Sequence, residues 1–186
     1  MARRKPDPGA IYVSPRLQAS LEPMGRCALT TVTAPMGYGK TTAVNWFLAA
    51  QPPGSAIRVS IYSDSLPALW EGGRRAFRAA GLTVLEGFDC PTDPAATGLL
   101  VDTLCRELRR PEPWYLFADD LHLLPDPRMA RFLCELAARL PENVHLIAAS
   151  RDRILSGDQV LRLGGRLHRI GAEQLRLEGG ELAAYV

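Results

Sequence analysis

The chain has 186 residues, 47% of them hydrophobic, enough for one full α/β core and too few for two. With 22 basic and 20 acidic side chains the net charge is only +2, so no global positive field marks a nucleic-acid binder, and any DNA contact is expected outside this chain. Cys27, Cys90, Cys105 and Cys134 form no C-x-x-C pair, which argues against a zinc site or a disulfide framework. No apolar run reaches the roughly 18 residues of a membrane span, so a cytoplasmic protein with no membrane contact is expected.

In chain order, residues 1–10 read as a disordered lead, and Tyr12 to Leu17 opens an ordered segment that runs into a short helix. Leu29 to Ala34, rich in Thr and Val, reads as a strand, followed by a Gly turn and a helix from about Lys40 to Ala50. Ala56 to Tyr62 reads as a second strand and Pro67 to Ala80 as an amphipathic helix. Residues 81–95 form an irregular connection, and a helix spans about Ala96 to Arg109 with Leu100, Leu104 and Leu108 on one face. Trp114 to Ala118 is a continuous apolar run ending in Asp119-Asp120, as in a parallel strand covered on both faces. A helix over Pro127 to Leu140, a strand over Val144 to Ala149 and a short strand over Leu167 to Ile170 complete the pattern. Alternating strands and helices predict an α/β fold of three layers, a mostly parallel central sheet with helices on both faces, spanning 11–178. Residues 179–186 read as the start of a truncated helical lid, so the sequence is expected to be a piece of a longer chain.

The chemistry concentrates after the first strand. Ala34-Pro35-Met36-Gly37-Tyr38-Gly39-Lys40-Thr41-Thr42 joins a strand to a helix, which is the setting a G-x-x-x-x-G-K-[ST] phosphate loop requires. Gly37 and Gly39 open backbone conformations that let successive N–H groups converge on phosphate oxygens, and the helix start adds its unpaired donors. Lys40 is expected on the β- and γ-phosphates, and the Thr41 hydroxyl on Mg²⁺. Only Lys5 accompanies Lys40 among 22 basic residues, so a lysine at position 40 in an arginine-rich chain points to chemistry. The motif's first position is Ala34 where the general pattern has Gly, which is tolerable if that residue keeps a strand-like backbone.

Asp119 is the expected carboxylate partner of that metal, and Asp120 the residue that orients or activates the attacking water. The competing reading is that both merely start a solvated turn or cap the next helix. Arg151, after Ser150 at the end of a neighbouring strand, is expected to sense the γ-phosphate, with a surface ion pair as its alternative. His122 reads as a hydrogen-bonded, partly buried histidine outside the catalytic set, with a polar sensor as its alternative. ATP or ADP is expected in preference to a guanine nucleotide, because the [NT]-K-x-D pattern has only a partial match at Arg4-Lys5-Pro6-Asp7. The segment Val13 to Leu17, with Arg16, is the candidate wall for adenine, against an ordinary docking strand.

Several of these segments together resemble the MalT-like ATPase domains of LuxR-type transcription regulators, a branch of the signal-transduction ATPases with numerous domains (STAND). The resemblance is carried by Ser14-Pro15-Arg16-Leu17, Thr33 to Thr42, Asp119-Asp120-Leu121-His122, Leu140 to Leu146, Ser150-Arg151 and Leu175-Arg176-Leu177. Ala at the first phosphate-loop position is similar to that family's own habit. The resemblance implies an ATP-gated switch in which nucleotide and a small-molecule inducer or protein modulator favour a self-associating form. DNA would be bound through a C-terminal helix-turn-helix outside this chain, and slow hydrolysis would reset the switch. An ATP-driven enzyme, remodelling motor or kinase shares the same loop and is the rival reading.

Overall fold

The computed structural model describes residues 12–178 and residue 181; the expected N-terminal lead and most of the expected lid start lie outside the described residues. Helix α1 (Pro15–Leu21) precedes β1 (Leu29–Thr33), and α2 (Lys40–Ala49) follows the glycine turn. Then come β2 (Ala56–Ser60), α3 (Leu66–Ala79), α4 (Pro94–Glu107) and β3 (Trp114–Asp119). The chain continues through α5 (Pro127–Arg139), β4 (Val144–Ser150), α6 (Gly157–Leu163), β5 (Leu167–Ile170) and α7 (Ala172–Leu175).

Helix starts follow from the side chains that cap them. Ser14, Ser65, Asp93, Asp126 and Ser156 each accept a backbone N–H from the first turn, satisfying a donor the helix leaves free. Asp93 with Pro94 therefore opens α4 two residues before the expected Ala96. Helix α6 was not anticipated from hydrophobic period, yet its reciprocal Ser156–Gln159 capping box is the local signal that starts it.

All five strands pair in parallel in the order β2-β3-β4-β1-β5, so the sheet is wholly rather than mostly parallel. Alternation along the strands sends side chains to two cores. Leu116 and Ala118 of β3, with Leu146 and Ala148 of β4, face α3, α4, α5 and α6; Phe117, Ile147 and Ala149 face α1, α2 and α7. That double covering explains the unbroken apolar run of β3, where both faces must be dry. A cavity of about 240 Å³ lies on the first of these faces, lined by Trp70, Phe77, Leu100 and Phe132 among others, and none of residues 34–42 borders it.

One buried polar residue ties sheet to loop. His145 of β4 is 4% exposed, stacks on Tyr115 at 5.2 Å between centroids, and its Nδ1 lies 3.0 Å from the Cys27 carbonyl oxygen, to which it donates. Burial pushes its pKa below the ordinary 6.5, against the weaker opposing pull of that carbonyl. The unfolded chain therefore takes up the proton first, and stability is full above about pH 6.5 and falls as pH drops below it. Urea midpoints measured from pH 8 to pH 5 should show this loss, and His145→Gln should flatten it.

Candidate nucleotide site

The site is assembled where β1, β4 and β3 end side by side. Gly37 at φ 86° and Gly39 at φ 72° adopt the left-handed backbone that the turn between β1 and α2 needs. Gly39 caps α2 with no side-chain bond, so the first N–H groups of that helix stay available to an anion. Ala34 continues the line of β1, its N–H 3.3 Å from the Ser150 carbonyl oxygen, and is 2% exposed, so it makes no demand for glycine. Pro35, Met36, Gly37, Tyr38 and Gly39 are all exposed along the loop, and Thr42 is exposed on the first turn of α2.

Lys40 is not the surface side chain its charge suggests. It is 8% exposed, and its ammonium crosses under the loop to donate to the carbonyls of Ala34 at 2.7 Å and Pro35 at 3.0 Å. The next residue, Thr41, donates its hydroxyl to Asp119, with oxygens at 3.0 and 3.2 Å, although 78 positions separate them in sequence. Asp119 is 3% exposed at the end of β3, and one of its oxygens also accepts the Asp120 N–H at 3.1 Å. The acid pair thus divides: Asp119 is buried and fully bonded, while the Asp120 carboxylate is half exposed.

Asp120 has φ 60°, the one left-handed residue other than glycine among the described residues. Asp tolerates this conformation better than most side chains. His122 follows on a short turn over Leu121–Leu123, with Nδ1 3.8 Å from the Asp120 carboxylate. Both its ring nitrogens are buried without a hydrogen-bond partner, so the bonded histidine expected from sequence is not what the structure shows. Arg151 is exposed, and its guanidinium lies 3.4 Å from the Met36 sulfur, which sets it over the edge of the loop.

Arg16 stands apart from this group. Its guanidinium donates to the carbonyls of Glu173 and Gln174 at 3.1 and 3.2 Å and to that of Arg176, and pairs with Glu178 and Glu181. Expected on the nucleotide, its donors here fasten α1 to α7. Glu181 is held at a pKa of about 2 by the Ser14 hydroxyl, the Glu178 backbone N–H and Arg16. Sequence reading also missed Arg58 on β2, whose guanidinium reaches Asp119 at 2.7 Å.

The donor set suits a nucleotide with a small hard cation. A hydroxyl and a carboxylate in contact provide oxygen ligands of the kind Mg²⁺ takes beside phosphate, and the loop amides provide the anion cradle. Because most of that ion's remaining ligands are phosphate oxygens and water, no larger cluster of protein ligands is needed.

These features define the class. The three-layer fold, with its phosphate-type loop after β1 and the acidic end of β3 on the far side of β4, is the P-loop NTPase fold. No family model matches the chain. Among solved structures, it is similar to a Pyrococcus horikoshii STAND protein with a tetratricopeptide repeat sensor, at 13% identity and TM-score 0.58 over 87% of this chain and 23% of that one. It is also similar to a chain of Drosophila ORC bound to DNA, at 13% identity and TM-score 0.51 over 84% and 91% of the two chains. A further match, Drosophila ORC bound to AT-rich DNA and Cdc6, has 13% identity and TM-score 0.51 over 90% of this chain and 59% of that one. At such identity the likeness is one of fold. Among the described residues, no helix is long and apolar enough to cross a membrane.

Proposed function

We propose that this chain is the ATP-binding switch domain of a LuxR/MalT-type bacterial transcription regulator, binding and slowly hydrolysing ATP with Mg²⁺. Hydrolysis would control self-association and DNA binding by domains outside the chain, with an inducer or protein modulator read by a separate sensor. The observation that carries the nucleotide reading is the contact between Thr41 and the buried Asp119, which joins the loop after β1 to the acid at the end of β3. The regulatory half rests on the motif resemblance, and the likeness to a STAND protein supports it at the level of fold.

Each residue has a task in this reading. The backbone N–H groups of residues 36–41 hold the phosphates, with Pro35, Met36, Tyr38 and Thr42 lining the cradle. Lys40 turns its ammonium from the Ala34 and Pro35 carbonyls to the β- and γ-phosphates, a shift between two nearby sets of oxygen acceptors. Thr41 and Asp119 hold Mg²⁺, which neutralises charge on the phosphates when bound. Asp120 accepts the proton of the attacking water, and Arg151 meets the γ-phosphate from the end of β4.

A fluorescent ATP analogue titrated with Mg²⁺ should saturate in the micromolar range, with ATP and ADP competing better than GTP. Turnover should be slow, below about 0.01 s⁻¹, as in P-loop switches without an activator. Absence of saturable binding rejects the nucleotide site. Sustained turnover above roughly 1 s⁻¹ with a simple substrate would instead establish the enzyme or motor reading.

A further inference from the structure

Arg58 approaches the acidic end of β3 from the sheet edge. In-register pairing of Ser60 with Asp119 sets Arg58 opposite Phe117, two residues short of the acid. Its side chain spans that interval with the guanidinium over the Phe117 ring, 5.1 Å from the centroid. One nitrogen donates to Asn45 Oδ1 at 3.2 Å, and another to Asp119 Oδ2 at 2.7 Å.

The other donors to Asp119 are neutral: the Thr41 hydroxyl and the Asp120 N–H. The Lys40 ammonium is committed to the loop carbonyls. Among the described residues, Arg58 is therefore the full positive charge in contact with a carboxylate that is 3% exposed, where a countercharge matters most. The oxygen it holds, Oδ2, is also the one nearer the Thr41 hydroxyl, at 3.0 Å. A guanidinium and a divalent cation both need those lone pairs, and at that separation they repel each other. The Arg58 side chain is 42% exposed on an edge strand with Asn45 as a second partner, so it has room to withdraw.

We propose that Arg58 is a resident countercharge that holds Asp119 in place before a divalent ion binds and must leave Oδ2 to admit one, so that it weakens the site's affinity for Mg²⁺. The inference rests on Thr41 and Asp119 being metal ligands. It gives a two-sided signature. Loss of the Arg58 charge makes the empty domain less stable and the metal site tighter. A side chain that stays on Asp119 as support would weaken metal binding when removed, and a purely structural one would leave it unchanged.

Mn²⁺ is the probe, its binding followed by electron paramagnetic resonance with a saturating non-hydrolysable ATP analogue, and stability is followed by urea unfolding in chelator. Arg58→Gln should bind Mn²⁺ about tenfold more tightly than wild type and unfold at lower urea without metal. Arg58→Lys, which keeps a charge but loses the two-pronged hold, should fall between them and serves if the glutamine variant does not fold. Equal or weaker Mn²⁺ binding by the variants overturns the proposal. If wild type binds no Mn²⁺, or Thr41→Val binds it as wild type does, the metal-site reading fails first; if wild type passes both controls, a null result for Arg58 counts against Arg58 alone.

Discussion

Lys40→Ala is expected to abolish detectable binding of a fluorescent ATP analogue while leaving the domain folded. Removing one partner of a desolvated, hydrogen-bonded charge pair costs about 2–5 kcal/mol, or roughly 30-fold to several thousand-fold in affinity. The cost to the fold is smaller. Lys40 is buried, not the removable surface cation its position in the motif suggests, and its loss frees the Ala34 and Pro35 carbonyls. Hydrogen bonds from a charged group are worth about 1.5–3 kcal/mol each, and losing two of them is offset in part because the alanine variant no longer buries an ammonium, so the net loss stays below the roughly 5–15 kcal/mol that holds a typical domain. Circular dichroism and urea unfolding would check the fold, and a fluorescence titration the binding. Retained affinity in a folded variant would exclude Lys40 from phosphate binding.

Asp120→Asn should separate binding from cleavage. The amide keeps the shape of the carboxylate, and Asn accepts the left-handed backbone at φ 60° as readily as Asp, so neither the turn nor the loop has reason to move. What disappears is the group that accepts a proton, an effect of about 10²- to 10⁴-fold in general-base catalysis. Single-turnover cleavage should fall by that factor, with nucleotide affinity held within about threefold. Asp119→Asn would behave differently, because it strips a buried carboxylate from both Thr41 and Arg58. Normal cleavage by Asp120→Asn would leave Asp120 as a turn residue.

The loop and its acid were legible because each is local. A glycine turn between a Thr-rich strand and a helix, and an apolar run ending in two carboxylates, can both be read within ten residues. Arg58 was not, since nothing nearby distinguishes it from the other arginines, and only the pairing of β2 with β3 brings it to Asp119. The partners of Arg16 were hidden for a related reason: the carbonyls it grips lie 157 to 160 positions away, beyond the reach of any local pattern. The missing partner of His122 is likewise a fact of packing, invisible to period or composition.

Because β4 lies between β1 and β3, the gap that Thr41 and Asp119 close is two strand spacings wide, about 10 Å between backbones. The intervening strand ends in Ala148, Ala149 and Ser150, all almost completely buried. The ladder bonds on both sides of β4 act as a gauge: they fix how far apart the hydroxyl and the carboxylate stand, so the jaws of the site are set by backbone that carries neither of them.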